Sequence, residues 1–361
     1  MPSPVTPSVI INAPKALLHD HLDGGLRIGT ILELSDSIGW TSNLPTTNPD
    51  DLQAWFTAGA AAKDLLQYLA TFEHTLAVMQ TTEHIERIAF EAVEDLANDG
   101  VVYAEIRFAP ELHNMPFAAS TEAICAGFRR AEESARARGQ QISAHLIICA
   151  MRTEHRSVEV VEFVDQYRTI DSKVVAFDLA GAETGWPPSL HAEALTIAGQ
   201  RHINLTIHAS EPPDLELISD ALAHGAHRIG HGVRLDRDTH TESGELTLGP
   251  LATYVRDRQV HLEMAPTCNT QIGAVASVGD HPVIPFLRAG FNVGVNTDNR
   301  LMSDVSPSSE LIALNNAHNL TWEEISRLVT NAISSGFAPL DERQRIINDI
   351  VSPAYSALAA G

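Results

Sequence analysis

Eight short β-rich apolar runs, most of them closed by a polar or glycine-containing turn, set the strongest limit on how this chain folds. They read KALLHDHLDGG (15–25), VVYAEIRFAP (101–110), ISAHLIICAM (142–151), KVVAFDLAGAE (173–183), INLTIHASE (203–211), RIGHGV (228–233), VHLEMAPTCN (260–269) and FNVGVNTD (291–298). Segments of helical periodicity lie between them, and strands that alternate with helices argue for parallel βαβ units. Eight such units predict an α/β fold, a (β/α)8 TIM barrel, in which catalytic groups sit at the C-terminal ends of the strands. Over the 361 residues there is no Gly/Ser-rich linker, no internal repeat and no shift in composition, so one barrel domain spanning 1–361 is expected.

The connection after the first run, about residues 26–100, is the longest and is read as a helical insertion. It carries at least two amphipathic helices. Leu65, Leu69, Phe72, Leu76 and Met79 share one face, as do Ile85, Ile88, Ala89, Ala92 and Leu96, with Thr82 as N-cap and Gly100 as terminator of the second. Such stripes are core packing, although an insertion leaving the end of the first strand can also roof a site there. After the last run, Ser306 with Pro307 and Thr321 with Glu324 have the spacing of helix N-termini.

Composition narrows the partners. Asp and Glu number 46 against 24 Lys and Arg, for a net charge of -22, and the three lysines (Lys15, Lys63, Lys173) form no patch. A polyphosphate or an anionic membrane surface would be repelled, so neither nucleic acid nor membrane is expected as a partner. No run reaches the roughly 18 apolar residues of a membrane span, and the N-terminus lacks the basic and continuous apolar regions of a signal peptide. Cys125, Cys149 and Cys268 are too few and too widely spaced for a disulfide or zinc framework, which fits a reducing cytoplasm.

The barrel rule supplies its own check, because chemically capable residues should cluster where the runs end. The first run ends in His19 and His21, the fifth in His208 and Glu211, the sixth in His231 and the eighth in Asp298. In a strand, residues i and i+2 point to one face, so His19 and His21 can chelate one ion while Asp20 points away. A third imidazole, His208, and a carboxylate, Asp298, complete a nitrogen and oxygen set suited to zinc with a position left for water. Dinuclear hydrolases on this barrel often bridge their metals with a modified lysine at the end of strand 4. Lys173 stands at the start of that run, so a single ion is favoured. Glu211 is placed to donate a proton to a leaving group without binding the metal, and His231 to orient the water, take its proton or stabilise charge.

With these residues in place the chain resembles the adenosine deaminase family of metal-dependent aminohydrolases, nearly end to end. The likeness rests on HDHLDG, LAGAE, HASE, RIGHG, APTCNTQIGA and NTDN, in the family's order. It implies one zinc per chain held by His19, His21, His208 and Asp298, and a small-molecule purine nucleoside as substrate. Glu211 would protonate purine N1 and His231 assist water attack at C6. Substrate would be lined by His21, by Asp23 at the ribose, by Gly181 through its backbone N–H and by Asn299. The implied reaction is hydrolytic deamination of adenosine, and of 2'-deoxyadenosine, to inosine forms and ammonia in purine salvage. The alternative is another 6-aminopurine such as adenine or aminofutalosine.

Two positions depart from the family pattern. Ser210 stands where glycine is usual, which crowds the Glu211 loop or is harmless if its φ is negative. Asn299 stands where an aspartate usually faces purine N7, and an amide donates to that acceptor at any pH. The single-ion reading predicts that Lys173→Ala leaves the metal content unchanged. Loss of an ion in elemental analysis of that variant would restore a two-metal site.

Overall fold

In the computed structural model, which describes residues 4–62, 65–212, 214–242 and 245–361 (backbone alone at 65–70, 241, 242 and 245), eight parallel strands run in one continuous sheet. They are β1 (Lys15–His21), β2 (Val101–Phe108), β3 (Ser143–Met151), β4 (Val174–Ala180), β5 (Leu205–Ala209), β6 (Arg228–His231), β9 (His261–Met264) and β10 (Val293–Val295), neighbours in that order. The sheet closes on itself just past β10. Asp298 N–H donates to His19 O at 2.9 Å and His21 N–H to Asp298 O at 2.8 Å. Asn296 extends the seam with its side chain, whose Oδ1 accepts from the backbone N–H groups of Leu18 and His19 at 2.8 and 3.0 Å. The α/β barrel expected from the eight runs is the fold observed.

Between β6 and β9 lies an antiparallel hairpin, β7 (Thr239–Glu242) and β8 (Glu245–Leu248), which the sequence reading did not foresee. Its residues, THTESGELTL, are mostly polar and give no apolar alternation to read. The insertion after β1 holds four α-helices among the described residues, Ile28–Ser37, Pro49–Ala61, Leu65–Ala77 and Thr82–Asn98, twice the expected minimum. The cap of the last one is Thr81, not Thr82. Its Oγ1 accepts the His84 N–H at 3.2 Å, which moves Thr82 to the first helical position. Gly100 ends this segment with φ +79°, as expected. Ile85, Ile88, Ala89, Ala92 and Leu96 are buried and Met79 with them, whereas the side chains of Leu65 and Leu69 lie outside the described residues. Gln53 ties the insertion to the other side of the barrel mouth by donating to the Leu301 carbonyl at 2.9 Å. Downstream, Ser306 caps its helix with Pro307 following and the Thr321–Glu324 capping box forms, both as read, and Ser309 closes a box at Ser306 as well.

Barrel interiors are usually filled with branched apolar side chains. Here the middle of the barrel is ionic. Arg107 Nε donates to Asp178 Oδ2 at 2.9 Å, and the same guanidinium pairs with Glu263. Arg228 binds Glu263 Oε1 and Glu105 Oε2, each at 2.6 Å, and Tyr103 OH donates to Glu105 Oε1 at 2.6 Å. All of these side chains are buried. Taking such charges from water is costly, and the arrangement persists because each one is paired and hydrogen-bonded. Removing one partner leaves the others uncompensated. Arg107→Met is therefore expected to cost about 3–5 kcal/mol of unfolding free energy, read from the denaturant midpoint.

Candidate active site

The C-terminal ends of β1, β5 and β6 and the turn after β10 converge. The His19 ring centre lies 5.4 Å from that of His21, 4.5 Å from that of His208 and 4.7 Å from that of His231. His21 Nε2 is 3.2 Å from His208 Nε2, and Asp298 Oδ1 is 3.4 Å from Nε2 of both His19 and His21. The structure thus brings together every metal-ligand candidate read from the sequence. It adds one. Among the described residues His19, His208, His231 and Asp298 form a group of possible ligands, with one atom from each all within 4.8 Å of the others, so His231 competes with His21 for a place in the ligand set.

The donor set fits a metal ion. His19 Nδ1 faces Glu263 Oε2 at 3.1 Å, which fixes the proton on Nδ1 and leaves Nε2 buried without a hydrogen-bond partner. His208 Nδ1 faces Asp178 Oδ2 at 3.1 Å and is fixed in the same way. Each lone pair therefore points inward, the arrangement in which a carboxylate orients a metal-binding imidazole. Gly230 makes the packing possible. A Cβ there would sit 3.0 Å from His208 Cα and 3.2 Å from His19 Cε1. Asp20 does point away, into a salt bridge with Arg300 at 2.9 Å and a hydrogen bond from Thr297 at 3.1 Å.

Asp178 and Glu263 were missed in reading the sequence. Their signal was available: a charged residue in the middle of a run buried on both faces, as in VAFDLA and HLEMA, has to be paired with something. Glu183 was missed as well. Its carboxylate accepts from the backbone N–H groups of Ser210 at 2.7 Å and Glu211 at 3.2 Å, and so holds the loop that carries Glu211.

Glu211 itself lies 3.7 Å from His231 Nε2 and 3.7 Å from Cys268 Sγ. Burial, then the nearby Asp298 charge, push its carboxyl up to about 7, which keeps a proton available near neutrality. Three residues at the strand ends adopt left-handed backbone without being glycine: Ser210 (φ +63°), His231 (φ +59°) and Asp298 (φ +60°). The φ of Ser210 is thus positive, the condition under which glycine is favoured, and its Oγ donates to the Asp214 carbonyl at 2.6 Å. Backbone strain of this kind gathers at functional sites.

The remaining sequence candidates fall around this cluster. Asp23 is buried in the turn after β1, and burial raises its carboxyl to about 6. Asn299, buried, follows Asp298 and packs against Gly24, where a Cβ would meet its side chain at 2.0 Å. Gly181 follows β4 with φ +91°, two residues before Glu183. Lys173 lies at the other end of β4, with Nζ on the Ala144 carbonyl at 2.9 Å and paired with Glu132.

The family model described as Adenosine deaminase matches residues 14–353. The chain belongs to the adenosine deaminase family. Its kinship is close along the whole length. It is 46% identical over 364 residues to an adenosine deaminase of Mycobacterium sp. strain KMS, covering 99% of this chain and 100% of that one. It is also 46% identical to the adenosine deaminase of Mycobacteroides abscessus, covering 97% of each. Among solved structures, an adenine deaminase from Arthrobacter aurescens superposes with a TM-score of 0.79 at 25% identity, over 94% of this chain and 98% of that one. Members of the adenosine deaminase family are aminohydrolases, and this chain is an enzyme of that kind. Gly230→Ala is expected to displace His19 and His208 together; metal content after dialysis should drop while the far-ultraviolet circular dichroism spectrum stays that of the parent.

Proposed function

We propose that the protein catalyses the zinc-dependent hydrolytic deamination of adenosine, and of 2'-deoxyadenosine, to the inosine forms and ammonia. The observation that carries this reading is the meeting of a histidine and aspartate cluster with a raised-pKa glutamate at the mouth of the barrel. Full-length identity of 46% to proteins named adenosine deaminase supports the nucleoside as substrate.

His19, His21, His208 and Asp298 would hold one zinc ion per chain, which when bound supplies water acidified towards neutrality for attack at C6. The remaining steps belong to the chain's own residues. Glu211, protonated near neutral pH, delivers its proton to purine N1 and so makes C6 more electrophilic. His231 lies 3.7 Å from Glu211 and faces the same space. Asn299 donates its amide N–H to N7, the Gly181 backbone N–H donates to the purine, and Asp23 accepts from a ribose hydroxyl. We assign the whole chain to one barrel unit with 26–100 as its insertion. Three free cysteines, all buried, support a cytoplasmic setting. None of the described helices is long and apolar enough to cross a membrane.

The test is the fall in ultraviolet absorbance of adenosine, run beside adenine and aminofutalosine, on protein analysed for zinc. Turnover of adenosine with one zinc per chain supports the proposal, and turnover confined to another purine would move the specificity. Glu211→Gln is expected to lower kcat by ~10²–10⁴ fold with the metal retained. Near-normal activity in that variant would remove the proton-donor assignment.

A further inference from the structure

Behind His231 runs a hydrogen-bond chain whose direction can be read from one end. The backbone N–H of Val283 donates to His281 Nδ1 at 3.2 Å. A backbone amide nitrogen cannot accept, so this Nδ1 carries a lone pair. Burial holds the His281 ring down to about 3, so it is neutral and its single proton sits on Nε2. That nitrogen lies 3.1 Å from Asn269 Oδ1, which accepts. Asn269 Nδ2 must then be the atom 3.2 Å from His231 Nδ1, and it donates. The opposite amide orientation would set an NH2 against the N–H of His281 and an oxygen against the lone pair of His231. His281, Asn269 and His231 are all buried, so water cannot relieve such a mismatch.

His231 Nδ1 therefore accepts, and a neutral His231 carries its proton on Nε2, the nitrogen that faces Glu211 and the cluster. We propose that Asn269 and His281 are positioning residues that lock His231 as an Nε2–H donor towards the attacking oxygen or the charge that develops on it. A nitrogen that carries a proton has no lone pair for a metal. His231 is thus excluded from the ligand set although it lies close to His19, His208 and Asp298, and the third imidazole is His21. Nor can it begin as the base that takes the water's proton. Of the three roles open to it from the sequence, orienting the water and stabilising charge remain, both by hydrogen-bond donation from Nε2.

The inference rests on the metal site proposed above, and the experiment separates the two. Histidine-labelled 15N protein, metal-free and zinc-loaded, gives the tautomer of each ring in long-range 1H–15N correlation spectra, with His231 assigned through His231→Asn. The expected pattern in both samples is Nε2 protonated and Nδ1 bare. Asn269→Asp, which when ionised can only accept, should at a pH above the titration of that carboxyl convert His231 to a ring protonated on Nδ1 and lower kcat by about 10- to 100-fold with KM little changed. His281→Gln, whose amide still donates to Asn269, should keep both tautomer and turnover, whereas His281→Met should lose them.

A zinc-loaded His231 that shows Nδ1–H and a metal-shifted Nε2, or an Asn269→Asp protein whose His231 tautomer is unchanged, would overturn the lock. If the parent protein took up no zinc, the metal-site reading would fail instead, and the spectra of the metal-free protein would still decide the tautomer.

Discussion

One guanidinium at the centre of the barrel joins the fold to its chemistry. Arg107 binds Asp178 and Glu263 at once, and its Nη1 donates to the Leu18 carbonyl at 2.5 Å, beside His19. Asp178 orients His208 and Glu263 orients His19, so two rings from strands far apart in sequence take their direction from one planar group. A fully buried ion pair is a poor way to gain stability, since desolvation consumes most of the attraction. It is a good way to gain geometry, because the fork of a guanidinium admits few arrangements of its carboxylates. The interior of this barrel gives up the usual apolar filling for that reason.

The mouth of the barrel carries a second departure from easy folding. Ser210, His231 and Asp298 each adopt a left-handed backbone that costs about 1–2 kcal/mol for a residue with a Cβ. What holds them there is visible. Glu183 grips the amides at Ser210 and Glu211, the seam pairs Asp298 with β1 on both sides, and Asn269 anchors the ring of His231. Rigid strands absorb the strain, and the side chains are turned towards a common point.

How much of this the sequence showed depends on the range of the interaction. The ends of the apolar runs were legible because a strand has a period of two and a barrel has a defined functional end, and that sufficed for His19, His21, His208, Glu211, His231 and Asp298. The cap at Thr81 was misplaced by one residue because two adjacent threonines offer the same chemistry. The hairpin of β7 and β8 is polar and gave no pattern. Asp178, Glu263 and Glu183 sat in motifs already noticed, yet their roles depend on partners 27 to 71 residues or more away, to which no local period points. His281 escaped for another reason: its part is fixed by a backbone amide two residues on and by Asn269 in the short helix Pro266–Gln271, a chain of contacts that no apolar period reveals.

Closure of the barrel has a consequence for the order in which the molecule comes into being. The backbone hydrogen bonds that join the two ends of the sheet are made by His19, His21 and Asp298, the same residues proposed above to hold a metal. The seam and the site are one object. A chain emerging from synthesis presents its first two histidines early and must wait for residue 298 before they acquire a carboxylate partner. An ion bound there would act as a clasp between the first strand and the last. Catalytic competence in this protein is thereby a report that the circle has been completed.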